Sequence, residues 1–196
     1  MKKVVGVFGS PRPDGNSDIL LNYAIQGAET CGDVAVEKIV IRDLHIAPCN
    51  SCGGCFEKGV CVIDDDMQII YSRFVDADII VVASPVYFMG VSAQLKAVID
   101  RCQAFWARKY VLHQPIREDA RVARGFFIAT AARSNGEELF AGAVKTIKAF
   151  FHVLDTKYAG DILCAGLEEK GVVYKKQEIL QQAYDAGKQL LHKNLE

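Results

Sequence analysis

The chain has 196 residues, 51% of them hydrophobic, with 23 basic and 24 acidic side chains, a formal net charge of −1 and seven cysteines. A chain of this length buries roughly 70% of its unfolded surface and needs no disulfide framework, and its near-neutral charge argues against a nucleic-acid partner, whose affinity rests on clustered Lys and Arg. No apolar stretch approaches the ~18 residues that span a bilayer, and the basic start lacks the long apolar run and cleavage site of a signal peptide, so a cytoplasmic protein with no membrane partner is expected. In that compartment clustered cysteines point to metal or redox chemistry rather than to disulfides.

Taken in chain order, residues 4–8 form the first of four short, almost continuously apolar runs. The others are the less pure 34–41, then 79–83 and 125–129. Strands apolar on both faces suit a parallel sheet covered on both sides. The first run leads into Gly9-Ser10-Pro11-Arg12-Pro13-Asp14-Gly15-Asn16-Ser17. A helix follows, with Asn16 or Ser17 as its cap and Ile19, Leu20, Tyr23, Ala24 and Gly27 on one face. Such a strand–turn–helix offers free amides and a positive dipole end to an anion, and Ser10, Arg12, Asn16 and Ser17 add donors around Gly15. The glycine spacing matches neither the nucleoside-triphosphate loop nor G-x-G-x-x-G. The bland alternative is a capped helix after a turn.

After the second strand, Cys49, Cys52, Cys55 and Cys61 form C-x-x-C-x-x-C-x5-C inside a loop at 45–63, with Gly53, Gly54 and Gly59 interspersed. Three thiolates at i, i+3 steps with a fourth nearby resemble ferredoxin-type ligation of an iron–sulfur cubane. Val62 stands where the bacterial ferredoxin run has proline. Zinc, a thiol redox site and a vestigial site are the alternatives. Cys31, Cys102 and Cys164 are dispersed among apolar neighbours and read as packing. Residues 64–75 form a candidate helix, with Asp64, Asp65 and Asp66 at its dipole-favoured start.

Ser84-Pro85-Val86-Tyr87-Phe88-Met89-Gly90 leaves the third strand on the same sheet edge as the first turn, and its apolar side chains and free amides suit a planar ring. A helix from Ser92 through Phe105 follows, with Leu95, Val98, Ile99 and Cys102 on its stripe. The fourth strand ends at Thr130, and 131–137 makes a third loop on that edge. Helices at 138–154 and 175–192 flank a fifth strand within 157–164. Segments 42–61, which holds the four cysteines, and 106–122 are too long to be mere connections and are places to look for a site; the roles of 106–122 and 131–137 are not assigned. The alternation describes one doubly wound α/β domain over 1–196. A phosphate cradle, an apolar loop and a polar loop at one crevice fit a flavin mononucleotide better than a dinucleotide. His45, His113, His152 and His192 match no metal-site or triad pattern, and no catalytic acid or base is assigned.

The stretch Ser10–Ser17, the cysteine loop running into Cys61-Val62-Ile63-Asp64-Asp65-Asp66-Met67, and Ser84-Pro85-Val86-Tyr87-Phe88 resemble the iron–sulfur flavoproteins within the NADPH-dependent FMN reductase group. The resemblance implies a flavodoxin-like three-layer sandwich with a five-stranded parallel sheet ordered 2-1-3-4-5. It implies FMN phosphate on Ser10, Arg12, Gly15, Asn16 and Ser17, and an isoalloxazine along Ser84, Pro85, Val86, Tyr87, Phe88, Met89 and Gly90, near Thr130. Cys49, Cys52, Cys55 and Cys61 would hold a 4Fe–4S cluster, in a homodimer or homotetramer that brings a cluster near a neighbour's flavin. Arg133 and Asn135 lie where the third loop departs from the group's glycine-rich form. The implied function is electron transfer from a ferredoxin-like or NAD(P)H donor through FMN to oxygen, peroxide or a quinone. A cluster-free NAD(P)H-dependent FMN or quinone reductase, and a non-enzymatic redox or metal sensor, are the rival readings.

Overall fold

The computed structural model describes residues 1–134, 136 and 138–192. Asn135 and Glu137 of the third loop lie outside the described residues. Five strands, β1 (Lys2–Phe8), β2 (Val34–Val40), β3 (Ile79–Pro85), β4 (Ala123–Thr130) and β5 (Thr156–Cys164), form one sheet in the order β2-β1-β3-β4-β5. Every neighbouring pair is parallel. This is the flavodoxin-like arrangement.

Apolarity on both strand faces is used in full, because alternate residues feed two separate cores. Val5, Val7, Ile80, Val82, Phe127 and Ala129 pack with Ile70 and Phe74 of α3 (Met67–Asp76), Leu95 and Val98 of α4 (Ala93–Arg101), and Ile147 and Phe151 of α6 (Ala141–Val153). Val4, Phe8, Val81, Phe126 and Ile128 pack instead against Leu20 and Leu21 of α1 (Asn16–Glu29) and Leu180 and Leu190 of α7 (Gln177–His192). The edge strand β2 is largely half-buried or exposed, which explains its weaker apolar signature.

Four expectations about elements are corrected. Neither Asn16 nor Ser17 caps α1; Gly15 holds the cap position with no side-chain bond, and the Asn16 amide is engaged elsewhere. The helix expected from Ser92 to Phe105 is broken at Cys102, where α4 ends and α5 (Gln103–Tyr110) begins. The Cys102 amide is shared between the Val98 and Ile99 carbonyls, a tightening typical of a helix end, and the break leaves Arg101 buried under the cysteine loop. The helix expected at 64–75 starts only at Met67, because Asp65 and Asp66 turn their carboxylates to the amides of Ala47 and His45. The helix expected at 138–154 starts at Ala141. A four-residue helix within the cysteine loop, α2 (Cys55–Lys58), was not anticipated, being too short to show a period; it ends on Gly59 in the left-handed conformation.

Helices α1 and α7 cross at two reciprocal glycines. A Cβ on Gly27 would lie 1.9 Å from the Tyr184 carbonyl oxygen, and one on Gly187 would lie 1.8 Å from that of Ala24. Both obstacles are backbone, so the helices must separate to admit a methyl group. Gly187→Ala is expected to cost about 2–3 kcal/mol and to lower Tm by about 5–10 °C for a chain of this size. Thermal unfolding measures this, and an unchanged Tm would show the crossing to be loose.

Candidate functional site

The exits of β1, β3, β4 and β5 lie on one sheet edge, where parallel α/β folds place ligands. Those of β1 and β3 are drawn together by buried serines. The hydroxyl of Ser92, at the α4 cap, donates to the Gly9 carbonyl and accepts from the Leu95 amide, while its own amide donates to Ser84 Oγ at 3.0 Å. Gly9 is tight for the same reason: its amide bonds the Ala83 carbonyl at 2.8 Å, and a Cβ there would stand 2.7 Å from that oxygen.

Above this junction is a crevice of about 220 Å³ lined by Ser10, Arg12, Gly15, Asn16 and Ser17 from the first loop, Pro85, Val86 and Tyr87 from the β3 exit, and Thr130 from β4. Ser10 Oγ accepts from the Arg12 amide at 3.1 Å, shaping the turn. Other expected residues stand elsewhere. Ser84 is fully buried beneath the crevice, its hydroxyl donating to the Pro85 carbonyl. Phe88, Met89 and Gly90 do not line it. Phe88 and Met89 both have positive φ, +49° and +63°, at the tip of a turn closed by mutual bonds between Tyr87 and Gly90. Two bulky residues in that conformation are strained, and the Phe88 ring is wholly exposed.

Asn16 contributes differently from expectation. Its side-chain Nδ2 donates to the carbonyls of Leu167 and Glu169, at 3.2 and 2.9 Å, and its Oδ1 accepts from the Val173 amide at 3.2 Å. The side chain ties the first loop to the loop after β5. Leu167, Glu168 and Lys170 therefore also line the crevice, and sequence reasoning missed them; Ala132 lines it from the third loop, which was expected on that edge. The only local signal was Lys170 between Gly166 and Gly171.

Beneath the first loop, the Arg42 guanidinium bonds Asp18 at 2.8 Å and reaches the Ser10 carbonyl. Burial pushes the Asp18 carboxyl up to about 6, against the pull of Arg42. Its proton is thus held more tightly in the folded chain than in the unfolded one, so this group adds stability as pH falls from about 6 towards 3.8. Asp18→Asn should remove that gain and make the unfolding free energy fall more steeply over that interval in denaturant titrations. An identical pH profile would remove Asp18 from this account.

The second site is the cysteine loop. Cys49, Cys52, Cys55 and Cys61 all line one cavity of about 280 Å³, together with Asp100, Arg101 and Gln103. The Cys55 thiol is pushed up first by burial and then by the neighbouring Cys61, Cys49 and Cys52. Among the described residues no three His, Cys, Asp or Glu side chains converge closely enough to hold a single metal ion. Cys102 and Cys164 are buried, with thiols pushed up by desolvation, and Cys31 is half-buried; none of the three lines the cavity.

The loop is held by Arg101. Its fully buried guanidinium grips Asp65 with two bonds, at 2.6 and 3.0 Å, and donates to the carbonyls of Ala47 and Ile63 at 2.8 and 3.2 Å. The pair therefore pins both ends of the cysteine segment. Burial works against ionisation of Asp65, but Arg101 and the amides of Ala47 and Met67 hold its carboxyl below the usual carboxylate range. Asp65 thus stabilises the fold above that range, and the contribution is lost on acidification. Arg101 Nε is buried without a hydrogen-bond partner among the described residues, on a side chain that lines the thiol cavity. Phe56 of α2, which lines the cavity, meets Trp106 of α5 at 6.3 Å, and Trp106 in turn meets Tyr110 at 5.6 Å. Asp65→Asn leaves a buried guanidinium uncompensated and should cost about 3–5 kcal/mol in denaturant unfolding, whereas a loss below ~1 kcal/mol would make the pair dispensable.

With this geometry in view, comparison with known proteins is informative. Residues 2–161 match the family model described as NADPH-dependent FMN reductase. An iron-sulfur flavoprotein of Methanocaldococcus jannaschii is 35% identical over 162 residues, 81% of this chain and 76% of that protein. An iron-sulfur flavoprotein of Methanosarcina thermophila is 31% identical over 81% of this chain and 78% of its own length. Among solved structures, an NAD(P)H:quinone oxidoreductase from Methanothermobacter marburgensis superposes with a TM-score of 0.72 at 15% identity, covering 99% of both chains. At that identity the likeness bears on the fold alone.

Proposed function

Because the chain belongs to the NADPH-dependent FMN reductase family, and is thereby a flavin-dependent oxidoreductase, we propose that it is an electron-transfer flavoprotein carrying both FMN and a 4Fe–4S cluster. Electrons enter from a ferredoxin-like or NAD(P)H donor and leave through FMN to a small acceptor such as oxygen, peroxide or a quinone. The observation that carries this reading is the gathering of all four loop cysteines around one cavity against a buried arginine, separate from the crevice on the sheet edge. The names of the relatives from Methanocaldococcus and Methanosarcina support it.

The residues fit both groups. At the crevice, the uncapped start of α1 and the side chains of Ser10, Arg12 and Ser17 receive a phosphate, its charge favoured by the helix dipole. Pro85, Val86 and Tyr87 form the apolar wall for the ring, and Thr130 stands at the end of β4. At the cysteine loop, four thiolates around a cavity suit a polynuclear group with one sulfur ligand per iron. A single tetrahedral zinc ion would draw four sulfurs to within ~3.8 Å of one another. The orphaned Nε of Arg101 is a donor without a partner beside an anionic group, and the buried positive charge offsets that of the thiolates. FMN and the cluster, when bound, supply the conversion between one- and two-electron steps; the protein positions them, tunes them and admits the partners. A homodimer or homotetramer belongs to this reading, and the exposed Phe88, Tyr87, Met89, Phe56 and Trp106 are apolar surface that association would cover.

The test is anaerobic purification with absorbance spectroscopy and iron, sulfide and zinc analysis. Flavin bands over a broad iron–sulfur absorbance, with iron and sulfide in equal amounts, are expected, the cluster component being lost in Cys52→Ser or Cys55→Ser. Stoichiometric zinc would overturn the cluster. Rapid flavin reduction by NADPH in cluster-free protein would replace the reading with a simple NAD(P)H-dependent reductase.

A further inference from the structure

The loop after β5 is built into the crevice from three directions. Its Gly166 and Leu167 amides donate to the carbonyls of Arg133 and Ala131 at 3.0 and 2.9 Å, continuing the β4–β5 pairing beyond the strands. Gly171, at φ +77°, turns the chain back towards α7. Between these anchors Asn16 makes its three bonds to Leu167, Glu169 and Val173, and with 8% of its surface exposed it has no remaining role in solvent. The held segment carries Glu168 and Lys170 into the crevice. The Lys170 ammonium lies 3.6 Å from the Asp14 carboxylate of the first loop, a pair in which Asp14 is 82% and Lys170 45% exposed. A cation from the fifth loop thus faces the first loop across the space that Arg12, Ser10 and Ser17 also line.

We propose that Lys170 is a second cation for the flavin's phosphate, opposed to Arg12, and that Asn16 is its positioning residue, so that the fifth loop discriminates FMN from the phosphate-free riboflavin. The proposal rests on the FMN reading above. Its physical basis is that a weakly held carboxylate partner, Asp14, is a poorer counterion for Lys170 than a phosphate dianion at a helix start. Asn16 cannot serve the phosphate with its side chain, because both ends of its amide are spent on the fifth loop; it acts by keeping Lys170 within reach. Glu168, also in the crevice, is the one acid of this loop facing the same space, and it makes the net charge there depend on Lys170.

Apoprotein titrated with FMN and with riboflavin, following quenching of flavin fluorescence, tests this without any measurement of turnover. Lys170→Gln should weaken FMN about tenfold, the scale of one charge-assisted contact at a half-exposed site, and leave riboflavin unchanged. Its FMN affinity should also respond less steeply to salt, and Lys170→Arg should restore most of the loss. Asn16→Ala should lower the FMN-to-riboflavin ratio by a similar factor, with Asn16→Ala/Lys170→Gln no worse than either single variant. An Asn16→Ala loss shared equally by FMN and riboflavin would make Asn16 merely structural and overturn that part. FMN binding that is unchanged in Lys170→Gln would overturn the role of Lys170, whereas wild-type apoprotein that binds neither flavin would instead defeat the FMN reading on which it stands.

Discussion

The Arg101–Asp65 pair is the constraint on which the cysteine site depends. A guanidinium with no exposed surface is tolerable only if its charge and nearly all its donors are matched, and here a bidentate carboxylate and two carbonyls do so. Those partners come from chain positions on either side of the four cysteines, so the energetic demand of burying Arg101 is met only when the loop is folded back onto α4. The helix break at Cys102 follows, since a straight continuation of α4 would carry α5 away from α2, with which it packs. Breaking this pair would therefore expose the thiols to disorder as well as lower stability.

The crevice on the sheet edge obeys a different logic. Its walls are loops, but each loop leaves a strand whose position is set by two cores, and the serines at 84 and 92 transmit that order to the sheet edge. Rigid scaffold and adaptable rim are thus separated in the chain, as is common where loops carry chemistry. The two cavities share no lining residue, so changes in one need not disturb the other.

Much of the fold was legible because continuous apolar runs in β1, β3 and β4 leave few alternatives to a doubly wound parallel sheet. The gathering of Cys49, Cys52, Cys55 and Cys61 at one cavity was legible for an equally local reason, since all four lie within one short loop. What could not be read depended on distant partners. Asp65 looked like a helix-start acid and proved to be the counterion of Arg101, 36 positions away. Asn16 looked like a phosphate donor, yet its side chain bonds a loop more than 150 positions along. The break at Cys102 was hidden because its residues continue the helical stripe; in the structure it coincides with the buried charge of Arg101 and with the packing of α5 on α2.

The anchoring of the cysteine loop also has an entropic side. Ala47 and Ile63 are 16 residues apart, and drawing the ends of a free segment of that length together costs about 2.5 kcal/mol in the logarithmic closure term alone. The bonds of Arg101 to Ala47, Ile63 and Asp65 offset that cost within the folded chain. Four sulfurs that would otherwise sample a wide volume are confined to one small cavity, at an effective concentration far above that of an open loop. Any group taken up there would meet sulfurs already gathered at the surface of a folded domain.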